Sequence, residues 1–135
     1  MIQKLSVSSV YVLDQDSAKA FYTEKLGFEV RTDTRVGAFR WLTVGPKGQT
    51  ELEIALMPIQ PGMMLDATRA EQLRALVKAG TFGFGAFRTD DCQRTYEELS
   101  ARGVEFSAPP ERRPYGVEAI LKDDSGNWFA LVQST

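Results

Sequence analysis

The chain has 135 residues, 43% hydrophobic and 25% charged, with 16 Lys and Arg against 18 Asp and Glu and no histidine at all. That length suits one compact unit, or two small halves sharing a core, because two independent halves would each bury too little surface to be stable. A net charge of −2 argues against a nucleic-acid footprint, and no apolar run approaches the ~18 residues of a membrane span.

Cys92 is the only cysteine, so no intramolecular disulfide can form. This fits a reducing compartment. Residues Met1 to Leu5 lack the apolar core and cleavage site of a signal peptide, and a soluble cytoplasmic protein is expected.

In chain order, Leu5 to Val12 reads as a strand, followed by a helix that Asp14 or Asp16 can cap. Ala18, Phe21, Tyr22 and Leu26 fall on one helical face, and Gly27 sits where a left-handed residue ends the helix. Phe28 to Thr32 is extended again. Arg40 to Val44 and Glu51 to Met57 read as strands joined by a turn at Gly45-Pro46-Lys47-Gly48. In the second of these, Leu52, Ile54 and Leu56 alternate with Glu51, Glu53 and Ala55, so the aliphatic face should meet the helix and the glutamates the opposite side.

Pro58 and Pro61-Gly62 break the strand. Thr68-Arg69-Ala70-Glu71 has capping-box spacing, and Ala70, Leu73, Leu76 and Val77 make an apolar stripe that Gly80 closes. Phe82 to Thr89 is the next strand. Asp90-Asp91-Cys92-Gln93 reads as a capped start with Gln93 third in the helix, which ends at Gly103. Glu111 to Gly116 is expected as an irregular loop. Gly116 to Leu121 and Trp128 to Gln133 are strands joined by a turn at Asp123-Asp124-Ser125-Gly126-Asn127.

This order contains a repeat. Val12-Leu13-Asp14 through Phe28-Glu29-Val30 recurs 76 positions later as Arg88-Thr89-Asp90 through Val104-Glu105-Phe106. Asp14 then matches Asp90, and Gly27 matches Gly103. The expected fold is α+β: two βαβββ modules forming a cupped mixed sheet. The modules are 1–57 and 82–135, with a connector and short helix at 58–81, in one compact domain.

Val12-Leu13-Asp14, Phe21-Tyr22, Leu26-Gly27-Phe28 and the ending Asp123 to Trp128 resemble the vicinal oxygen chelate superfamily. That group includes glyoxalase I, bleomycin- and fosfomycin-resistance proteins and extradiol dioxygenases. The resemblance spans nearly the whole chain and implies a cupped sheet from each half. Metal-dependent members carry ligands at four strand positions, which fall here on Val7, Glu53, Phe84 and Ala130. One carboxylate among three apolar residues makes a poor site for a transition metal, so no metal and no other cofactor is expected. A weak oxygen-only site for Mg or Mn, drawing on Glu53, Gln133 and a serine, is the alternative.

The expected ligand-binding residues are Tyr11, Arg40, Trp41, Glu53, Phe84, Arg113, Tyr115 and Trp128. Arg40 and Trp41 are consecutive, so one faces the cup and the other the helix layer. Trp41 and Trp128 offer planar surfaces for stacking, or are ordinary core residues. Tyr11 and Phe84 share strand parity with the lost ligand positions. Glu53 is a candidate base or recognition carboxylate, or a solvated residue paired with Arg40. Arg113 and Tyr115 stand where related proteins have a loop at the cavity mouth, and Met57, Met63 and Met64 flank a connector that suits an adaptable lid.

Two functional classes follow. One is a metal-independent binding protein for an aromatic or amphipathic small molecule, of the bleomycin-resistance type. The other is an enzyme, a lyase, isomerase or dioxygenase relative, using Glu53 or Glu118 as acid or base with Tyr115 or Arg113 at a developing oxyanion. The resemblance also implies a homodimer. The first class is the expectation adopted, with no nucleic-acid or membrane partner.

Overall fold

The structure, a computed structural model, describes residues 1–62 and 64–135. Met63, one of the expected lid methionines, lies outside the described residues. The elements are β1 (Val7–Val12), α1 (Gln15–Ala20), a π-helical turn (Phe21–Lys25), β2 (Glu29–Val36), β3 (Phe39–Gly45) and β4 (Glu53–Pro58), then α2 (Ala67–Lys78). The second half comprises β5 (Gly83–Arg88), α3 (Cys92–Ala101), β6 (Glu105–Arg113), β7 (Gly116–Lys122) and β8 (Trp128–Ser134). The fold is α+β, with two four-stranded mixed sheets ordered β1-β4-β3-β2 and β5-β8-β7-β6. β1 runs parallel to β4 and β5 parallel to β8, and the other pairs are antiparallel.

Strand alternation decides which face each sheet buries. Val10 and Val12 of β1, Leu42 and Val44 of β3, and Ile54 and Leu56 of β4 meet Ala18, Phe21 and Tyr22 from the first helix. The same core includes Cys92 and Leu99 of α3, Ala119 and Leu121 of β7, and Phe129 and Leu131 of β8. The helix-facing sides of both sheets thus share one core, and Tyr22 stands edge-on to Phe129 across it, with ring centroids 6.5 Å apart. A satellite cluster of Ile59, Ala70 and Val77 seats α2 against Tyr11, Leu13 and Phe82.

The repeat is real but its spacing is not uniform. The N-caps are Asp14 and Asp91, not Asp14 and Asp90. A register shift in β5 explains this: Gly83 pairs with Trp128 and Gly85 with the very next residue, Phe129, so Phe84 is an inserted bulge residue. The spacing returns to 76 at the left-handed glycines Gly27 (φ 75°) and Gly103 (φ 90°), because the first helix carries an extra residue of its own. That residue is in the π-helical turn, closed by Leu26 N–H donating to Phe21 O at 3.2 Å.

Other boundaries also differ from expectation. Asp66 caps α2 in place of Thr68, its carboxylate accepting from Arg69 N–H at 2.7 Å. Gln93 is second in α3, and its side chain donates to Glu97. The stretch Glu111 to Gly116 is no irregular loop. β6 runs through Arg113, which pairs with Gly116, leaving Pro114-Tyr115 as a two-residue hairpin connection.

The two modules are joined at the β7–β8 turn. Asp123 is buried, and its Oδ1 accepts from the backbone N–H groups of Ser125, Gly126 and Asn127 at 2.9, 3.0 and 2.9 Å. Its Oδ2 accepts from the Tyr22 hydroxyl at 2.8 Å and from Asn127 Nδ2 at 3.0 Å. Asn127 Nδ2 also donates to Tyr11 O, and Leu13 N–H donates to Ser125 Oγ. Burial, and then the neighbouring Asp123 carboxylate, push the Tyr22 phenol well above its usual pKa, so it stays a donor. Asp123→Ala leaves buried donors without acceptors and should cost about 3–5 kcal/mol in urea unfolding. Tyr22→Phe, which removes one donor, should cost about 1–2 kcal/mol.

Candidate ligand-binding site

The faces of the two sheets turned away from the helices carry the candidate residues. On the first sheet, Val7, Ser9 and Tyr11 of β1 stand opposite Glu53, Ala55 and Met57 of β4. Thr43 of β3 stands opposite Ala55, and Trp41, two residues earlier, shares that face. Phe39 and Trp41 lie ring to ring, 6.5 Å apart with planes tilted 32°.

At the Tyr11–Met57 end, the connector after β4 folds over the sheet and leaves a cavity of about 490 Å³. Its walls include Tyr11, Phe39, Met57, Pro58, Met64 and Leu65, and among the described residues no charged side chain lines it. Gly62 N–H donating to Leu65 O at 2.7 Å shapes the connector. Arg74 of α2 donates to Ile59 O and fixes the connector's start. Val36 and Met64 at the cavity remain 74% and 81% exposed, an unusual density of wet apolar surface at one spot.

Arg40 and Trp41 divide as consecutive strand residues must. Arg40 points to the helix side, where its guanidinium donates to Asp16 at 2.5 Å and to both oxygens of Asp33 at 2.8 and 3.0 Å. Lys19 joins the cluster through Asp33 at 2.8 Å. Trp41 takes the outer face. Glu53 lies on that face too, four residues along β4 from Met57, and its Oε1 accepts from the buried Thr43 hydroxyl at 2.6 Å. It makes no ion pair with Arg40.

Phe84 lies elsewhere. The bulge turns it toward the core, and it lines a second cavity of about 250 Å³ between the modules with Val10, Ile54, Phe87 and Phe129. Trp128 is on the outer face of the second sheet, its indole laid over Gly83 so closely that a Cβ there would come within 2.2 Å. Arg113 and Tyr115 occupy the β6–β7 hairpin end. Arg113 pairs with Glu111 at 2.8 Å and approaches Glu118 at 3.9 Å. A hydrogen bond to Glu118 raises the pKa of the exposed Tyr115 phenol.

The structure therefore gathers Tyr11, Trp41 and Glu53 on one sheet face and Trp128 on another, with Arg113 and Tyr115 at that second sheet's end. Tyr11 alone of the eight lines the larger cavity. Phe39 and Leu65, in its wall, escaped the sequence reading. Phe39 carried a signal in the alternation Phe39-Trp41-Thr43, whereas Leu65 joins the site only through the fold of the connector.

The donor set does not suit the metal that the resemblance implies. Val7 and Glu53 are paired neighbours, but the bulge leaves Phe84 out of step and sets Ala86 opposite Ala130. These positions supply one oxygen donor. Among the described residues no three His, Cys, Asp or Glu side chains converge on a common point.

A family model described as Glyoxalase/Bleomycin resistance protein/Dioxygenase superfamily matches residues 4–131. The chain belongs to this superfamily. It is 35% identical to the uncharacterized protein YetH of Bacillus subtilis (strain 168), covering 98% of this chain and 100% of YetH. Among solved structures it resembles UcmS2, with a TM-score of 0.95 and 48% identity over 99% of this chain and 100% of that one. It also resembles TnmS3, described as an antibiotic binding protein from Streptomyces sp. CB03234, with a TM-score of 0.78 and 31% identity over 99% of this chain and 98% of that one. Among the described residues no helix is long and apolar enough to cross a membrane.

The Arg40 cluster braces the sheet that floors the larger cavity. Hydrogen bonds from Arg40 and then Lys19 hold the Asp33 carboxyl well below the usual carboxylate range. A lowered folded pKa stabilises the fold fully above the unfolded pKa near 3.8, and that contribution is lost as pH falls below it. Asp33→Asn should therefore cost about 1–3 kcal/mol at pH 7. The gap from wild type should narrow below about pH 4 when urea unfolding is followed across pH.

Proposed function

We propose that this superfamily member is a metal-independent binding protein for an aromatic or amphipathic small molecule, acting in the cytoplasm as a homodimer. The observation that carries the reading is the cavity of about 490 Å³ under the connector, walled mainly by aromatic, aliphatic and thioether side chains with the amide of Gln60 and, among the described residues, no charge. That volume lies within the range of small-molecule pockets, which are mostly apolar with a few polar groups. The flat Phe39–Trp41 pair beside it extends the apolar surface toward Glu53. The likeness to TnmS3 supports the same reading.

The same geometry supports the dimer. The outer face of each sheet lies outside the main core cluster, and the apolar rim at Val36 and Met64 is left in water. A second copy presenting its second sheet would bring Trp128, Arg113 and Tyr115 to the open side of the cavity. In this reading those residues complete the ligand's enclosure.

Native mass spectrometry of untagged protein should show a dimer without stoichiometric divalent metal. Titration with the neutral fluorophore N-phenylnaphthylamine should give saturable binding, and the compound should be recovered unchanged. Met57→Trp, which fills the cavity from its floor, should weaken that binding by about tenfold or more while leaving the fold intact. A bound metal at one per chain, or turnover of the compound, would overturn the reading.

A further inference from the structure

The outer face of the first sheet is neutral from Met57 back to Thr43, and charge stands at its Gly45 end, where Glu29 pairs with Gly45 and Arg31 lies over it. Along it stand Val7, Ser9 and Tyr11, then Ala55 and Met57, then Phe39, Trp41 and Thr43, with Thr32 opposite Thr43 and Thr34 opposite Trp41. Glu53 interrupts this run with a carboxylate. Its position is fixed rather than free, because the Thr43 hydroxyl that holds Oε1 belongs to a fully buried residue. Its second oxygen, Oε2, has no hydrogen-bond or ion-pair partner among the described residues.

The guanidinium on this face does not serve Glu53. Arg31 lies over Gly45. It donates to Pro46 O at 2.6 Å and Gln49 O at 3.0 Å, and it approaches Glu29 at 3.5 Å. Arg40, one residue from Trp41, is committed to Asp16 and Asp33 on the other side of the sheet. A carboxylate oriented by a buried hydroxyl, beside apolar surface and without an ion-pair partner among the described residues, is complementary to a cation supplied from outside.

We infer that Glu53 anchors a protonated amine on the ligand, whose planar apolar part occupies the cavity under the connector. Four residues of β4 separate Glu53 from Met57 at the cavity, so the two parts of the ligand stand roughly 13 Å apart at the usual rise of a strand. The ligand class is a cationic amphiphile: an aromatic or polycyclic body carrying a basic nitrogen on an arm or ring several bonds away. This rests on the binding reading above and adds a charge requirement to it.

The test compares a naphthyloxyhexylamine with the corresponding naphthyloxyhexanol, titrated calorimetrically into the wild type and into Glu53→Gln. The variant keeps the size of the side chain and its acceptor for Thr43. The amine should bind wild type about tenfold more tightly than the alcohol, as a charge-assisted hydrogen bond supplies. Glu53→Gln should remove that preference, the amine losing about tenfold in affinity and the alcohol much less, and added salt should weaken the amine more than the alcohol.

Equal binding of both probes to wild type would overturn the anchor while leaving the binding pocket standing. So would a preference that survives in Glu53→Gln. If neither probe binds at millimolar concentration, the binding reading itself fails. Sedimentation of both proteins covers the remaining case: a Glu53→Gln dimer that dissociates would assign the carboxylate to a cation of the second copy and overturn the anchor.

Discussion

The structure hangs on the carboxylate of Asp123. A buried acid is costly unless every lone pair is met, and here five donors meet it, three from its own turn and two from side chains. The turn donors close the β7–β8 hairpin, as any Asp-led turn might. The Tyr22 hydroxyl changes its meaning, because Tyr22 lies on the first module's helix, 101 residues away in sequence. Asn127 extends the junction to the backbone of Tyr11, and Ser125 to that of Leu13. One turn in the second module thereby fixes the exit of β1 and the helix that follows it. Tyr11 leaves this junction with its carbonyl tied to Asn127 and its side chain in the wall of the larger cavity. The cavity is thus rigidly attached to the place where the modules join.

The fold was legible because each module repeats the same local signals. Asp at the helix start, the Phe21-Tyr22 pair and a left-handed glycine at the helix end are enough to place strand, helix and strand. What the repeat concealed was the pair of compensating insertions. A bulge at Phe84 and a π-helical turn at Phe21–Lys25 each add one residue, so aligning the glycines aligned the wrong aspartates. Nothing in a one-dimensional match separates two canceling insertions from none. The hairpin at Arg113–Gly116 was hidden for a different reason. Pro and Gly punctuate loops and tight hairpin connections alike, and only the pairing of β6 with β7 shows which is present.

The site was legible to the extent that it lies on strands. Alternation placed Glu53 opposite the aliphatic face of β4, and it required Arg40 and Trp41 to part, though not which way. The buried aliphatics Leu42 and Val44 share Arg40's parity, which takes Arg40 to the helix side with Asp16 and Asp33. The walls that the connector supplies were not legible. Pro58 to Leu65 has no periodicity to read, and its position depends on Arg74 and the α2 cluster pinning its ends.

The two modules treat one equivalent position differently, and this shapes the chemistry of the whole molecule. Val7 pairs with Glu53 in the first sheet, and Gly83 pairs with Trp128 in the second. Where the first sheet has a carboxylate held by a buried threonine, the second has an indole laid over a glycine that has no Cβ to obstruct it. The first sheet thus carries a charge at this position and the second a flat apolar surface. In the proposed reading the carboxylate meets the ligand's positive end, and the ligand's flat body lies in the cavity under the connector.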